Sequence, residues 1–184
     1  MKSIRRNFVF NALINVSQVL FPLITAPYVA RVLNPAGLGL ANFSAQLVGY
    51  FFMVASLGLP THAMREVTKV RDDKEKLSRL VSEVFTLSLI LHLSVGLIYY
   101  SSLFVVERFR ENLLLFSICG IGFWFSCFDV GWYFNGTERF GFIAGRHFIV
   151  RIVSIICLFL FVKDADDGEI YVLLNILCST AGQI

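Results

Sequence analysis

The chain is short of charge. Only 16% of its 184 residues are Asp, Glu, Lys or Arg, while 57% are hydrophobic and the mean hydropathy is +0.72. Soluble domains carry about a quarter charged residues. An apolar surplus of this size cannot be hidden in one small core, so water is excluded as the solvent of most of the surface. Net charge is also small, at +3. The basic residues lie in short groups between apolar runs rather than along one face, which excludes nucleic acid as a partner. Cysteine pairs are missing as well. Cys119, Cys127, Cys157 and Cys178 all fall inside apolar runs, and no two have zinc or redox spacing, so they are read as small apolar packing residues. His62, His92 and His147 are scattered, with no carboxylate or nucleophile at useful spacing. With no phosphate-binding loop, metal cluster or nucleophile elbow, the sequence calls for no metal and no cofactor, and it supports no enzyme.

Long apolar runs are what the chain does have. A helix needs about 20 apolar residues to cross the hydrocarbon core. Five complete candidates run over about 7–31, 37–59, 80–106, 112–134 and 142–162, and a sixth opens near Glu169 and is cut off at Ile184. Backbone polar groups in lipid need internal partners, and no alternating strand pattern is present, so helices are expected. The expected fold is an all-α integral membrane bundle, one transmembrane domain over 1–184. The opening Met1-Lys-Ser-Ile-Arg-Arg6 and its apolar run resemble a secretory signal, but the run is too long and carries Asn11, Asn15 and Gln18.

Orientation follows from Lys and Arg in the connectors. Twelve basic residues fall on one side, including Lys2, Arg5, Arg6, six in the 60–79 connector, and Arg139, Arg146 and Arg151. Four fall on the other: Arg31, Arg108, Arg110 and Lys163. The amino terminus and the 60–79 connector are therefore expected in the cytoplasm. That connector is amphipathic, with Ala63, Val67, Val70, Leu77 and Leu80 near helical spacing. Membrane lipids, through anionic headgroups, are its expected neighbours.

Polar groups inside the apolar runs follow a pattern. Asn11, Asn15 and Gln18 share one face of the first helix, and Asn42, Gln46 and Gly49 share one face of the second. Amides in lipid are costly unless paired or wet. Two readings remain open, interhelical hydrogen-bond glue or the wall of a polar cavity suited to sugar hydroxyls. Pro22 and Pro27 predict a kink in the first helix. Asp129 is an intramembrane carboxylate and so a functional candidate, although pairing with Arg139 or Arg146 would account for it structurally. Arg31 is either an attractor for a pyrophosphate or an interface anchor.

Three stretches carry a family resemblance. Phe21-Pro-Leu-Ile-Thr-Ala-Pro-Tyr-Val-Ala-Arg-Val-Leu33 with Gly37-Leu-Gly39 is similar to the first-helix signature of the O-antigen and capsule repeat-unit flippases of the multidrug/oligosaccharidyl-lipid/polysaccharide exporter superfamily. Leu57-Gly-Leu-Pro60, Arg65-Glu66 and Val70-Arg-Asp-Asp-Lys-Glu-Lys-Leu77 resemble that family's first cytoplasmic connector. Phe128-Asp-Val-Gly-Trp-Tyr-Phe-Asn-Gly136 with Glu138 resembles its fourth-helix exit. The resemblance implies the amino-terminal half of an alternating-access transporter of 12–14 helices in the bacterial inner membrane. It would carry undecaprenyl-pyrophosphate-linked oligosaccharide units outward for surface polysaccharide assembly. A carboxy-terminal half or second copy, a polysaccharide polymerase and glycosyltransferases are the implied partners. Other exporters of the superfamily, for drugs or the peptidoglycan lipid precursor, are the alternative. A non-transporting scaffold or inert fragment is the alternative from a different class.

Overall fold

The computed structural model describes residues 4–137, 140–165 and 167–183. Glu138 and Arg139 lie outside the described residues. Among those described there is no strand. The helices are α1 (Ile4–Val32), α2 (Pro35–Ser56), α3 (Leu59–Val70), α4 (Lys74–Val105), α5 (Glu107–Arg110), α6 (Leu113–Ser126), α7 (Gly131–Gly136), α8 (Phe140–Phe161) and α9 (Gly168–Gln183).

Local chemistry sets the helix ends. Asn34 caps α2: its side-chain oxygen accepts from the Gly37 N–H at 2.6 Å, and Pro35 stands in the first turn, where no N–H is needed. Helix α2 stops where Leu57 (φ 42°) and Gly58 (φ 74°) turn left-handed in succession, a conformation open to glycine but costly for leucine. Asp73 caps α4 by accepting from the N–H groups of Glu75 and Lys76. Asp167 closes the loop before α9 by accepting from the N–H groups of Lys163 and Asp164, both at 2.9 Å.

Each expected run is helical, with two differences. The fourth run is two helices, because α6 ends at Ser126 and α7 begins at Gly131. Three-residue turns tighten the gap, from Cys127 N to Trp124 O, Phe128 N to Phe125 O and Asp129 N to Ser126 O. Asp129 then takes the Gly131 N–H at 2.8 Å, so the side chain replaces a helical carbonyl. The 60–79 connector is also divided. Its first part is α3, and its last residues already belong to α4. The two prolines of α1 do not break that helix.

By length and composition, three stretches among the described residues can cross a membrane: Pro35–Ser56, Lys74–Val105 and Leu113–Gly136, the last including the α6–α7 gap. The other long helices carry more polar groups, Asn11, Asn15 and Gln18 in α1 and Arg146, His147 and Arg151 in α8. Outward faces are apolar: on α4, Leu97 is 71% and Val105 82% exposed, while Tyr99 and Leu103 on the inner face are buried. Surfaces of that kind suit hydrocarbon rather than water.

Packing occurs at three levels. At one end Val29 of α1 and Leu33 just after it meet Leu158 and Val162 around the end of α8, with Tyr28 and Tyr171 beside them. In the middle Ala55, Val95 and Phe123 join α2, α4 and α6, and Tyr99 donates to the Phe116 carbonyl at 2.6 Å. At the other end Ala63 and Val67 of α3 bury against Val84 and Trp132. The apolar stripe of α3 is therefore covered by protein.

Candidate functional site

A cavity of about 510 Å³ lies between α2, α6, α8 and α9. Helix α2 lines it with Asn42, Ala45, Gly49 and Phe52, which share one face, and the small residues leave the room. Helix α8 contributes His147 and Arg151, one turn apart. Helix α9 contributes Tyr171, Asn175 and Ser179, four residues apart in turn. Helix α6 closes the back with Cys119, Phe123 and Ser126. No carboxylate is among the described lining residues, so the fixed charge there has one sign. The Arg151 guanidinium lies 5.9 Å from the Phe21 ring centroid, which holds the side chain between α8 and α1.

A smaller cavity of about 80 Å³ lies on the other side of a shared wall formed by Phe52 and Ser126. Ser56, Ser88, His92 and Asp129 supply its polar lining, and Pro60, Val84 and Trp132 its apolar part. His92 is 3% exposed. One ring nitrogen, Nδ1, lies 2.8 Å from the Ser88 carbonyl oxygen, and the other, Nε2, lies 3.2 Å from the Ser126 hydroxyl. Asp129 and Arg146 interact electrostatically, so the carboxylate and the guanidinium share the region where the α6–α7 gap meets α8.

The expected site residues are dispersed. Asn42 lines the larger cavity and Asp129 the smaller one. Gln46 is exposed on α2 and lines neither. Asn15, Gln18 and Arg31 are exposed along α1 and line neither cavity. The Asn11 side chain lies outside the described residues. Sequence reasoning overlooked His147, Arg151 and Asn175. The signal was present, since His147 and Arg151 sit one turn apart inside an apolar run, but the two arginines of that helix were counted as connector charge.

Outside the long apolar stretches, two exposed carboxylates are held below their ordinary values by neighbouring lysines. A hydrogen bond from the Lys69 side chain, at 2.6 Å, holds Glu66 below its ordinary value. A hydrogen bond from the Lys76 side chain, followed by the Lys76 backbone N–H, does the same for Asp73.

A protein called "Putative O-antigen transporter" in Escherichia coli (strain K12) is 26% identical over 167 residues, which is 90% of this chain and 40% of that relative. The chain thus spans well under half the length of that curated relative. No solved structure matches. The family model described as polysaccharide biosynthesis protein matches residues 4–184, and the chain belongs to that family.

Proposed function

We propose that the chain is the amino-terminal bundle of a bacterial inner-membrane transporter. In this reading it carries undecaprenyl-pyrophosphate-linked oligosaccharide units from the cytoplasmic to the outer leaflet, with its amino terminus in the cytoplasm. Helices α1, α2, α4, α6 with α7, and α8 cross the membrane, and α9 is the start of a sixth crossing. The observation that carries the reading is the larger cavity, with two basic side chains on α8 opposite amides and hydroxyls on α2 and α9. Such a lining matches both parts of the cargo. A guanidinium pairs with phosphate oxygens through parallel N–H donors, and Asn42, Asn175 and Ser179 can exchange hydrogen bonds with sugar hydroxyls. The relative named as an O-antigen transporter supports the same class of cargo.

Binding tests this directly. The purified chain in lipid nanodiscs is titrated with undecaprenyl pyrophosphate and, separately, with undecaprenol. The pyrophosphate should bind more tightly, and Arg151→Gln should weaken it about tenfold, the scale of one lost charged hydrogen bond. Equal affinity for the two lipids, or no effect of Arg151→Gln, would overturn the assignment.

A further inference from the structure

Hydrogen bonding around His92 poses a counting problem. The Ser88 carbonyl only accepts, so Nδ1, 2.8 Å away, must carry a hydrogen. The Ser88 hydroxyl is farther, at 3.4 Å. On the other side of the ring, Ser126 has a single hydroxyl hydrogen and two claimants. One is Nε2, at 3.2 Å, and the other is the Phe123 carbonyl, at 2.6 Å. That carbonyl lacks its usual helical partner, because the Cys127 N–H turns to Trp124 at the end of α6. If Ser126 donates to Phe123, as the shorter distance favours, then Nε2 must donate to Ser126, and both ring nitrogens carry hydrogen.

We propose that His92, hydrogen-bonded to Ser126 of the wall between the two cavities, is a proton-binding site on the smaller cavity, with Asp129, which lines the same cavity, as its counter-charge. A proton arriving from that cavity forms a bond to the Nε2 lone pair, and the Ser126 hydroxyl swings its hydrogen from Nε2 to the Phe123 carbonyl. Release reverses both movements. The ring and Asp129 line the same small, mostly apolar cavity, whose other polar groups are the hydroxyls of Ser56, Ser88 and Ser126. Because Ser126 is the last residue of α6, the proton decides whether the final turn before the α6–α7 gap is fully bonded.

The surrounding charges are few. From α6 and the following gap come Cys127 and Asp129, and α2 and α3 present Phe52, Ser56, Leu59 and Pro60, none of which titrates. Arg146 acts on Asp129, and His147 and Arg151 line the larger cavity beyond the shared wall. The inference deepens the transport reading by naming a site for a coupling proton, but its test does not depend on transport.

The test is nitrogen NMR of the full chain in nanodiscs with ¹⁵N-labelled histidine. The double variant His62→Gln/His147→Gln leaves His92 as the single imidazole. Between about pH 5 and about pH 8, the range in which histidine charge changes, the signal should pass from two protonated nitrogens to Nδ1–H alone. Asp129→Asn should move that change to lower pH by about one unit or more, as loss of a nearby opposite charge does. A His92 signal that holds one proton throughout, or a titration indifferent to Asp129→Asn, would overturn the proposal. If the triple variant misfolds, the same spectra are read with Asp129→Glu, which keeps the charge and should leave the change in place; loss of the change there would also overturn it.

Discussion

The Tyr28 hydroxyl donates to the Val162 carbonyl at 2.7 Å, joining α1 to the end of α8 across 134 residues of sequence. The ring also meets Phe159 edge to face at 4.5 Å. Tyr28→Phe keeps the ring contact and leaves the carbonyl without this donor. It should destabilise the chain by about 1 kcal/mol, measured as a lower unfolding midpoint in detergent.

Close approach of α3 and α7 depends on Gly136. A methyl group there would come within 2.7 Å of Val67 Cγ1 and 3.0 Å of the Met64 carbonyl oxygen. Gly136→Ala should cost about 1–3 kcal/mol, the range for overpacking. Adding Val67→Ala should recover part of that loss, because the two changes share one contact. A strictly additive double variant would contradict this contact.

The Asp73 cap carries a pH signature. Its folded-state value lies below the ordinary 3.8, chiefly through the Lys76 side-chain hydrogen bond. A depressed carboxylate contributes stability that is complete above its unfolded value and is lost as the pH falls through the folded one. Asp73→Ala should therefore destabilise the start of α4 at neutral pH, as loss of an N-cap does. The difference from wild type should shrink below about pH 4, as read by unfolding midpoints across that range.

Much of the architecture was legible in the sequence. Apolar runs located the long helices, because lipid leaves the backbone no partner but itself, whereas α3 was legible only from the amphipathic spacing of the 60–79 connector and the short α5 not at all. The divided fourth helix was not legible from hydropathy, since Asp129 breaks it through one hydrogen bond to Gly131 that changes no average. The site was less legible than the fold. Polar spacing on α2 pointed to Asn42, which lines the cavity, but equally to Gln46, which does not. Periodicity identifies a shared face without saying which neighbour that face meets. On α1 the polar stripe is exposed along Asn15 and Gln18. On α8, Arg151 reads as a loop charge until α2 and α9 are placed around it.

The stripe on α1 and the cavity on α8 therefore make separable predictions. Asn15→Leu should leave undecaprenyl pyrophosphate affinity within about twofold of wild type, whereas Asn42→Leu should weaken it by about fivefold, the loss of one neutral hydrogen bond. Isothermal binding in nanodiscs reads both. Equal losses would place the cargo against α1 as well.

The most direct test of the transport reading is complementation in a host that lacks its own repeat-unit flippase. The chain is expressed alone and with a separately supplied carboxy-terminal half, each as wild type and as Arg151→Gln, at matched membrane levels. Surface polysaccharide is then quantified. The account predicts rescue by wild type when the second half is present, and loss of most of that rescue with Arg151→Gln. Rescue of the same size by both forms would contradict the cavity assignment, and no rescue by inserted wild type in either setting would contradict the transport function itself.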